Sequence, residues 1–183
     1  ILKTSDHIFN IFSLKKEKVI TKNIILCTGG HPSGYKLAQN LGHSIVKPVP
    51  SLFTFSTNEP NLDECSGVSI KGIDIEIQLS NKTFKNRGDL LITHWGFSGP
   101  AVLKLSSIAA REIFSQKYKF NLIVKWSVLS YEELKEKINY LRLNKGKANL
   151  INSRPVPLLT KRLWIFLLNK IGIDKEKKWA DLL

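Results

Sequence analysis

Two stretches of the sequence gather residue types that do chemistry. In the first, Thr93-His94-Trp95-Gly96-Phe97-Ser98-Gly99-Pro100, an imidazole, an indole and a hydroxyl stand among two glycines. A serine flanked by glycines between a strand and a helix is the setting of a hydrolase nucleophile. Here Pro100 occupies the position where that elbow needs glycine, and all four histidines (His7, His31, His43, His94) precede Ser98, whereas the hydrolase order places the histidine last. Starting a helix accounts for the serine better. Ser98 is expected as the N-cap, with Pro100 in the first turn and Ala101, Leu105, Ile108, Ala109 and Ile113 on the buried face. The free N–H groups from Ser98 to Val102 would then make a small electropositive pocket beside His94 and Trp95, suited to an anionic or planar group. The competing expectation for His94 and Trp95 is burial as satisfied core residues.

The second stretch is Thr28-Gly29-Gly30, at the end of an apolar run. In open α/β sheets ligands lie beyond the carboxyl ends of strands, where glycine lets a cofactor approach the backbone. The chain has no G-x-G-x-x-G, so it does not by itself provide the usual dinucleotide phosphate loop.

The elements that must position these groups follow from periodicity. Alternation over residues 8–13, the polar "KKEK" and the run "VITKNIILCT" predict a β-hairpin feeding a buried strand, Asn23 to Thr28. A short helix bearing Tyr35, Ala38 and Leu41 follows and stops at Gly42. Pro48 and Pro50 bracket a short extended stretch, and a domain crossing is expected near Pro48. Beyond it "SLFTFST" alternates, and Ile73, Ile75, Ile77 and Leu79 face one way in the cleanest period-2 run. A turn at Ser80-Asn81-Lys82 leads to "KTFKNRG", with further strands at Leu90 to His94 and within 117–126, which together suggest a small antiparallel barrel. Ser130 and Glu133 form a capping box ahead of a helix carrying Leu134, Ile138 and Leu141. Pro157 is expected to start a second helix ending near Gly172, and Asp174 to cap a third.

Bulk properties narrow the class. The net charge of +13 suits a polyanion, but only five of the 28 basic residues are arginine, so a solvated lysine surface is expected rather than a nucleic-acid face. No apolar run approaches the length of a membrane span and no signal peptide is visible, so a cytoplasmic protein with two reduced thiols, Cys27 and Cys65, is expected. The absence of methionine, with isoleucine first, suggests a piece of a longer protein.

Taken together, "NIILCTGGHPSGYKLAQNLGHSIVKPVPSLFTF", "GVSIKGIDIEIQL" and "RGDLLITHWGFSGPAVLKLS" resemble a bacterial family of insert-domain FAD-dependent oxidoreductases with aminoacetone-oxidase-like and bile-acid-related members. The resemblance implies an α+β chain. A partial strip of a Rossmann-type FAD-binding domain would occupy residues 1–47, and an insert domain residues 48–183, with a β-barrel over about 48–127 and a helical part over about 128–183. It implies FAD contacts at Thr28, Gly29 and Gly30. It also implies a loop facing flavin and substrate, formed by His94, Trp95, Gly96, Ser98, Gly99 and Pro100, with His94 as the proton-handling group. The "HPS" between Gly30 and Gly34 is shorter than the family's loop. The remainder of the FAD domain and a small-molecule substrate are the implied partners; nucleic acid and membrane are not. This chain alone is expected neither to hold FAD tightly nor to turn over. A basic nucleic-acid-binding module and a purely structural interaction domain are the alternatives.

Overall fold

In this computed structural model residues 1–4, 8–79 and 82–182 are described. The chain divides into two compact units, Ile1–Pro48 and Val49–Leu183.

The first unit begins with three short antiparallel strands in the order β1 (Leu2–Lys3), β2 (Phe9–Phe12) and β3 (Lys18–Thr21). The β2–β3 hairpin closes through Ser13, whose hydroxyl accepts from the backbone N–H of Lys15 and Glu17. The expected strand at Asn23 to Thr28 does not form. That segment has no ladder partner among the described residues, and Ile25 is 86% exposed. Apolar content marked a run able to be buried, but a strand exists only through hydrogen bonds to a neighbour. Helix α1 (Pro32–Asn40) follows, with His31 as its N-cap and Gly42 in the left-handed region at φ 91° just past its end.

The second unit is built on a five-stranded antiparallel sheet of order β4-β7-β6-β5-β8. Its strands are β4 (Phe55–Ser56), β5 (Ser69–Leu79), β6 (Lys82–Thr93), β7 (Gly96–Ser98) and β8 (Asn121–Val124). The alternating run of β5 buries Ile73, Ile75, Ile77 and Leu79, as its period-2 pattern requires. The segments "KTFKNRG" and "DLLIT" are one strand rather than two. The turn expected at Ser80-Asn81 lies outside the described residues; Leu79 and Lys82 on either side are paired. A bulge in β5 between Ile70 and Ile73 bends the ladder. It is held by two side chains of β6. The Asp89 carboxylate accepts from the Gly72 N–H at 3.0 Å, and Arg87 Nε donates to the Gly72 carbonyl at 3.0 Å. The sheet curls until its edge strands β4 and β8 face each other across a cleft, bridged by the Phe55 and Phe120 rings at 4.9 Å. The result is a half-open barrel.

Helix α2 (Pro100–Ile108) and the short α3 (Ala110–Ser115) cover the sheet. Ala101, Val102, Leu105, Ala109 and Ile113 are buried, whereas Ile108 is half exposed because the helix breaks at Ala109 and changes direction. Ser106, fully buried, satisfies its hydroxyl twice: it donates to the Leu103 carbonyl and accepts from the Phe53 N–H. The strand expected across 117–126 is limited to β8, since Lys117 and Tyr118 both take positive φ.

The helical part contains α4 (Tyr131–Asn144) and α5 (Lys161–Lys170). Thr160, not Pro157, caps α5, its hydroxyl accepting from the Leu163 N–H. No third helix starts at Asp174; its carboxylate accepts from the Glu176 N–H, and a 3-10 turn follows at Trp179–Asp181. A small second core of Leu141, Leu150, Leu168 and Trp179 joins these pieces, with Trp179 stacked on Trp164 at 6.5 Å. Trp164 Nε1 donates to the Leu150 carbonyl at 2.8 Å.

The capping box of α4 forms as its sequence signature indicates. Ser130 Oγ accepts from the Glu133 N–H, and the Glu133 carboxylate accepts from the Ser130 N–H at 2.8 Å. Replacing Ser130 by alanine should lower stability by about 1 kcal/mol in chemical denaturation. The hydrogen bond from the Ser130 N–H holds the Glu133 carboxyl below its ordinary value. Its contribution is therefore complete above the ordinary glutamate value and is lost as pH falls through the lowered folded one. An E133Q variant should show a flatter acid limb of helical circular dichroism; an unchanged limb would remove this account.

Candidate functional site

His94 and Trp95 form the tip of the β6–β7 hairpin, between Thr93 and Gly96, which pair as the last ladder residues. Both side chains are exposed, Trp95 by 46%, so neither is a core residue. The two rings meet edge to face with centroids 4.1 Å apart. A two-residue connection leaves no room to tuck two rings inward, and hairpin geometry sends both to solvent. An imidazole and an indole offered together on a rigid strand end suit contact with a planar, polar group. The imidazole supplies a proton or a hydrogen bond, and the indole an apolar face.

The glycines of this loop have separate structural reasons. At Gly96 (φ 149°) an added Cβ would sit 2.1 Å from the Phe55 carbonyl oxygen, so β4 can cross here only against a bare backbone. At Gly99 (φ 96°) it would sit 2.8 Å from the Asp89 carbonyl oxygen. Gly99, not Ser98, is the N-cap of α2, and Pro100 occupies the first turn. Ser98 belongs to β7, paired with Leu91. Its side chain makes no cap, because the chain reaches the helix one residue later than the serine signature indicates. Nor does the helix end open into an anion pocket: Ala101 and Val102 have no exposed surface.

Thr28, Gly29 and Gly30 lie in the first unit, at a turn before α1, and all three are exposed. Gly29 has φ 55°, and no atom lies within 4 Å of the Cβ position of either glycine. The Thr28 side chain is occupied differently: its Oγ1 lies 1.8 Å from where a Gly34 Cβ would be. For the flavin that the family resemblance implies, these residues fit as one open backbone wall. Gly29 and Gly30 admit close approach, while Thr28 packs on α1. No group of three or more His, Cys, Asp or Glu is placed to hold a metal among the described residues. Both cysteines are free. Burial raises the Cys65 thiol above its ordinary value, which leaves it protonated and unreactive. No helix among the described residues is long and apolar enough to cross a membrane.

One grouping of basic residues is made by the fold rather than by the linear order of the chain. The Lys145-Gly146-Lys147 turn after α4 is clipped to residues 175–180 by backbone hydrogen bonds. Ala180 N–H donates to Gly146, Trp179 to Ala148, Leu150 to Lys177 and Ile151 to Lys175. Lysines 145, 147, 175, 177 and 178 are thereby gathered from two segments about thirty residues apart. The only linear hint is that both segments are lysine-rich.

Comparison with known proteins agrees with this architecture. Residues 49–183 match the family described as HI0933-like protein barrel and H2TH domain, which is the extent of the second unit. A protein of Haemophilus influenzae named "Ribosomal RNA dihydrouridine synthase" is 32% identical over 173 residues, covering 88% of this chain and 39% of that protein. One of the same name from Escherichia coli K12 is 33% identical over 94 residues, covering 47% of this chain and 23% of that protein. The chain thus spans about two fifths of the length of the first relative.

The two glycine classes give a direct test. G96A should lose more than about 1 kcal/mol of stability in denaturant titration, since positive φ and a backbone clash combine. G30A should leave stability nearly unchanged, because its Cβ meets open space. Equal effects would contradict the steric requirement for glycine at Gly96.

Proposed function

The chain belongs to the HI0933-like family through its barrel and H2TH domain, and on that premise we propose that it is the substrate-side portion of a flavin-dependent enzyme reducing uridine in ribosomal RNA. The observation that carries this reading is the 32% identity, over 88% of the chain, with a protein named as a ribosomal RNA dihydrouridine synthase. Forming dihydrouridine adds a hydride and a proton across the C5–C6 double bond of uracil. A flavin held by the full-length protein would supply the hydride. The small-molecule substrate implied by the flavoprotein resemblance gives way here to an RNA base.

The residues of this chain have distinct parts in that reading. Gly29 and Gly30 present the bare backbone against which a flavin can lie. His94, exposed at the hairpin tip, carries the proton that completes the reduction, and Trp95 offers its face to the flat base. The gathered lysines at 145, 147, 175, 177 and 178 hold the phosphate backbone, and the net charge of +13 draws the polyanion in. A uracil inside a helix must be unstacked before its ring carbons are reached, so single-stranded or looped RNA is the expected form.

Two measurements test this. The full-length protein carrying this chain should show flavin absorbance and, with a reductant, add two hydrogens to a ribosomal RNA uridine, read by nucleoside mass spectrometry. H94A should cut the rate by roughly 100-fold or more while leaving the flavin spectrum in place. A colourless full-length protein would overturn the reading in favour of a structural interaction domain. On this chain, K145A and K178A should each lower the salt slope of single-stranded RNA binding by roughly 0.7. An unchanged slope would remove the lysine cluster from the RNA interface.

A further inference from the structure

The cleft between the two edge strands is a built cavity of about 570 Å³. This lies within the range of about 300–1,000 Å³ typical of small-ligand sites. Its floor is apolar and buried: Phe55, Phe97, Leu62 and Phe166. Its walls are partly exposed aromatic rings, Phe120 against Phe55 at 4.9 Å and Trp126 against Phe97 at 6.2 Å. Its rim is polar, with Lys119, Asn121, Thr57 and the Lys170–Glu59 ion pair at 2.5 Å. Lys119 makes no ion pair among the described residues. The outer edges of β4 and β8 have no ladder partner among the described residues, so their backbone donors and acceptors face the cleft.

We infer that this cleft binds one unpaired nucleotide of the RNA substrate, the base entering between the aromatic walls and its phosphate meeting Lys119. The inference rests on the RNA reading above and adds the subsite. Three observations favour a nucleotide over other occupants. Flat aromatic walls match a base face, and stacking on them tolerates any base. The free strand edges supply hydrogen bonds to a base edge without dedicated side chains. Addition of a peptide strand is disfavoured because β4 offers only the two residues Phe55–Ser56 for a ladder. The cleft is also joined to the hairpin tip. Thr57, which lines it, donates its backbone N–H to the Trp95 carbonyl at 3.0 Å. A nucleotide held there would be connected through Thr57 to the loop bearing His94 and Trp95, and is assigned as a neighbour of the target uridine.

The test uses the full 183-residue chain with a labelled oligouridylate hexamer and an RNA duplex of equal length, read by anisotropy. F120L should weaken hexamer binding by roughly tenfold, the scale of one base–aromatic stack, and K119A by a few-fold, with duplex binding unchanged. A hexamer carrying 4-thiouridine should cross-link to residues 55–57 or 118–126. If the wild-type chain binds the hexamer, both variants match it and cross-links fall elsewhere, the cleft is not a nucleotide site although the RNA reading stands. If the wild-type chain binds neither RNA, the RNA reading fails and the cleft proposal falls with it. Should F120L not fold, K119A on the exposed rim and the cross-link positions decide the matter.

Discussion

Helix α2 starts against β6 at a point where only glycine fits. A Cβ on Gly99 would lie 2.8 Å from the Asp89 carbonyl oxygen, whereas one on Gly88 would meet Ala101 at an ordinary 3.5 Å. Asn86 fixes the same contact by donating to the Ala101 carbonyl at 2.9 Å. At this range Ala101, Val102 and Leu105 lose all their solvent-accessible surface, and burial of each larger side chain contributes roughly 1.5–3 kcal/mol. The rest of the unit depends on that seam. Ser106, further along the helix, accepts from the Phe53 N–H and so aims the chain into β4. β4 then crosses Gly96, and the crossing presents the hairpin tip. A bulkier residue at the seam would displace the tip along with the helix.

Local signals in the sequence reached the parts governed by local physics. The alternation in β5, the capping box at Ser130, the left-handed stops at Gly42 and Gly172, and the glycine turn at Gly29 depend on neighbours a few residues away. Failures occurred where a distant partner decides. The run Asn23 to Thr28 was apolar enough for a strand but has no neighbour to bond with. Ser98 carried a helix-start signature that the β6–β7 ladder overrode by keeping it in register with Leu91. His94 and Trp95 were legible as an oddity, but their exposure follows from the two-residue turn, which "THWG" does not announce. The cleft was invisible, since its walls come from residues 55 and 120, joined only by the curl of the sheet.

Composition alone sets oxidoreductase chemistry against polyanion binding, because a positive surface says nothing of hydride transfer. On the proposed reading, with an RNA base as the reduced group, the two are compatible: lysines would serve the backbone and rings the base. The architecture separates the two kinds of residue. Lysines of the helical part are grouped by the clipping of Lys145–Lys147 to residues 175–180, with Asp174, Glu176 and Asp181 among them, whereas the aromatic rings collect where the barrel fails to close. The Lys170–Glu59 pair ties the end of α5 to the lip of that opening.

The contact between Thr28 and Gly34 has its own consequence. With Thr28 Oγ1 at 1.8 Å and Thr28 Cβ at 2.9 Å from the vacant Cβ position of Gly34, the two sites share a single side chain's volume. They behave as one locus. Alanine at 34 would be accommodated only if Thr28 moved, so the effect of a substitution at either position is read through the other. On its side-chain face, Thr28 occupies the space that glycine at 34 leaves beside the helix.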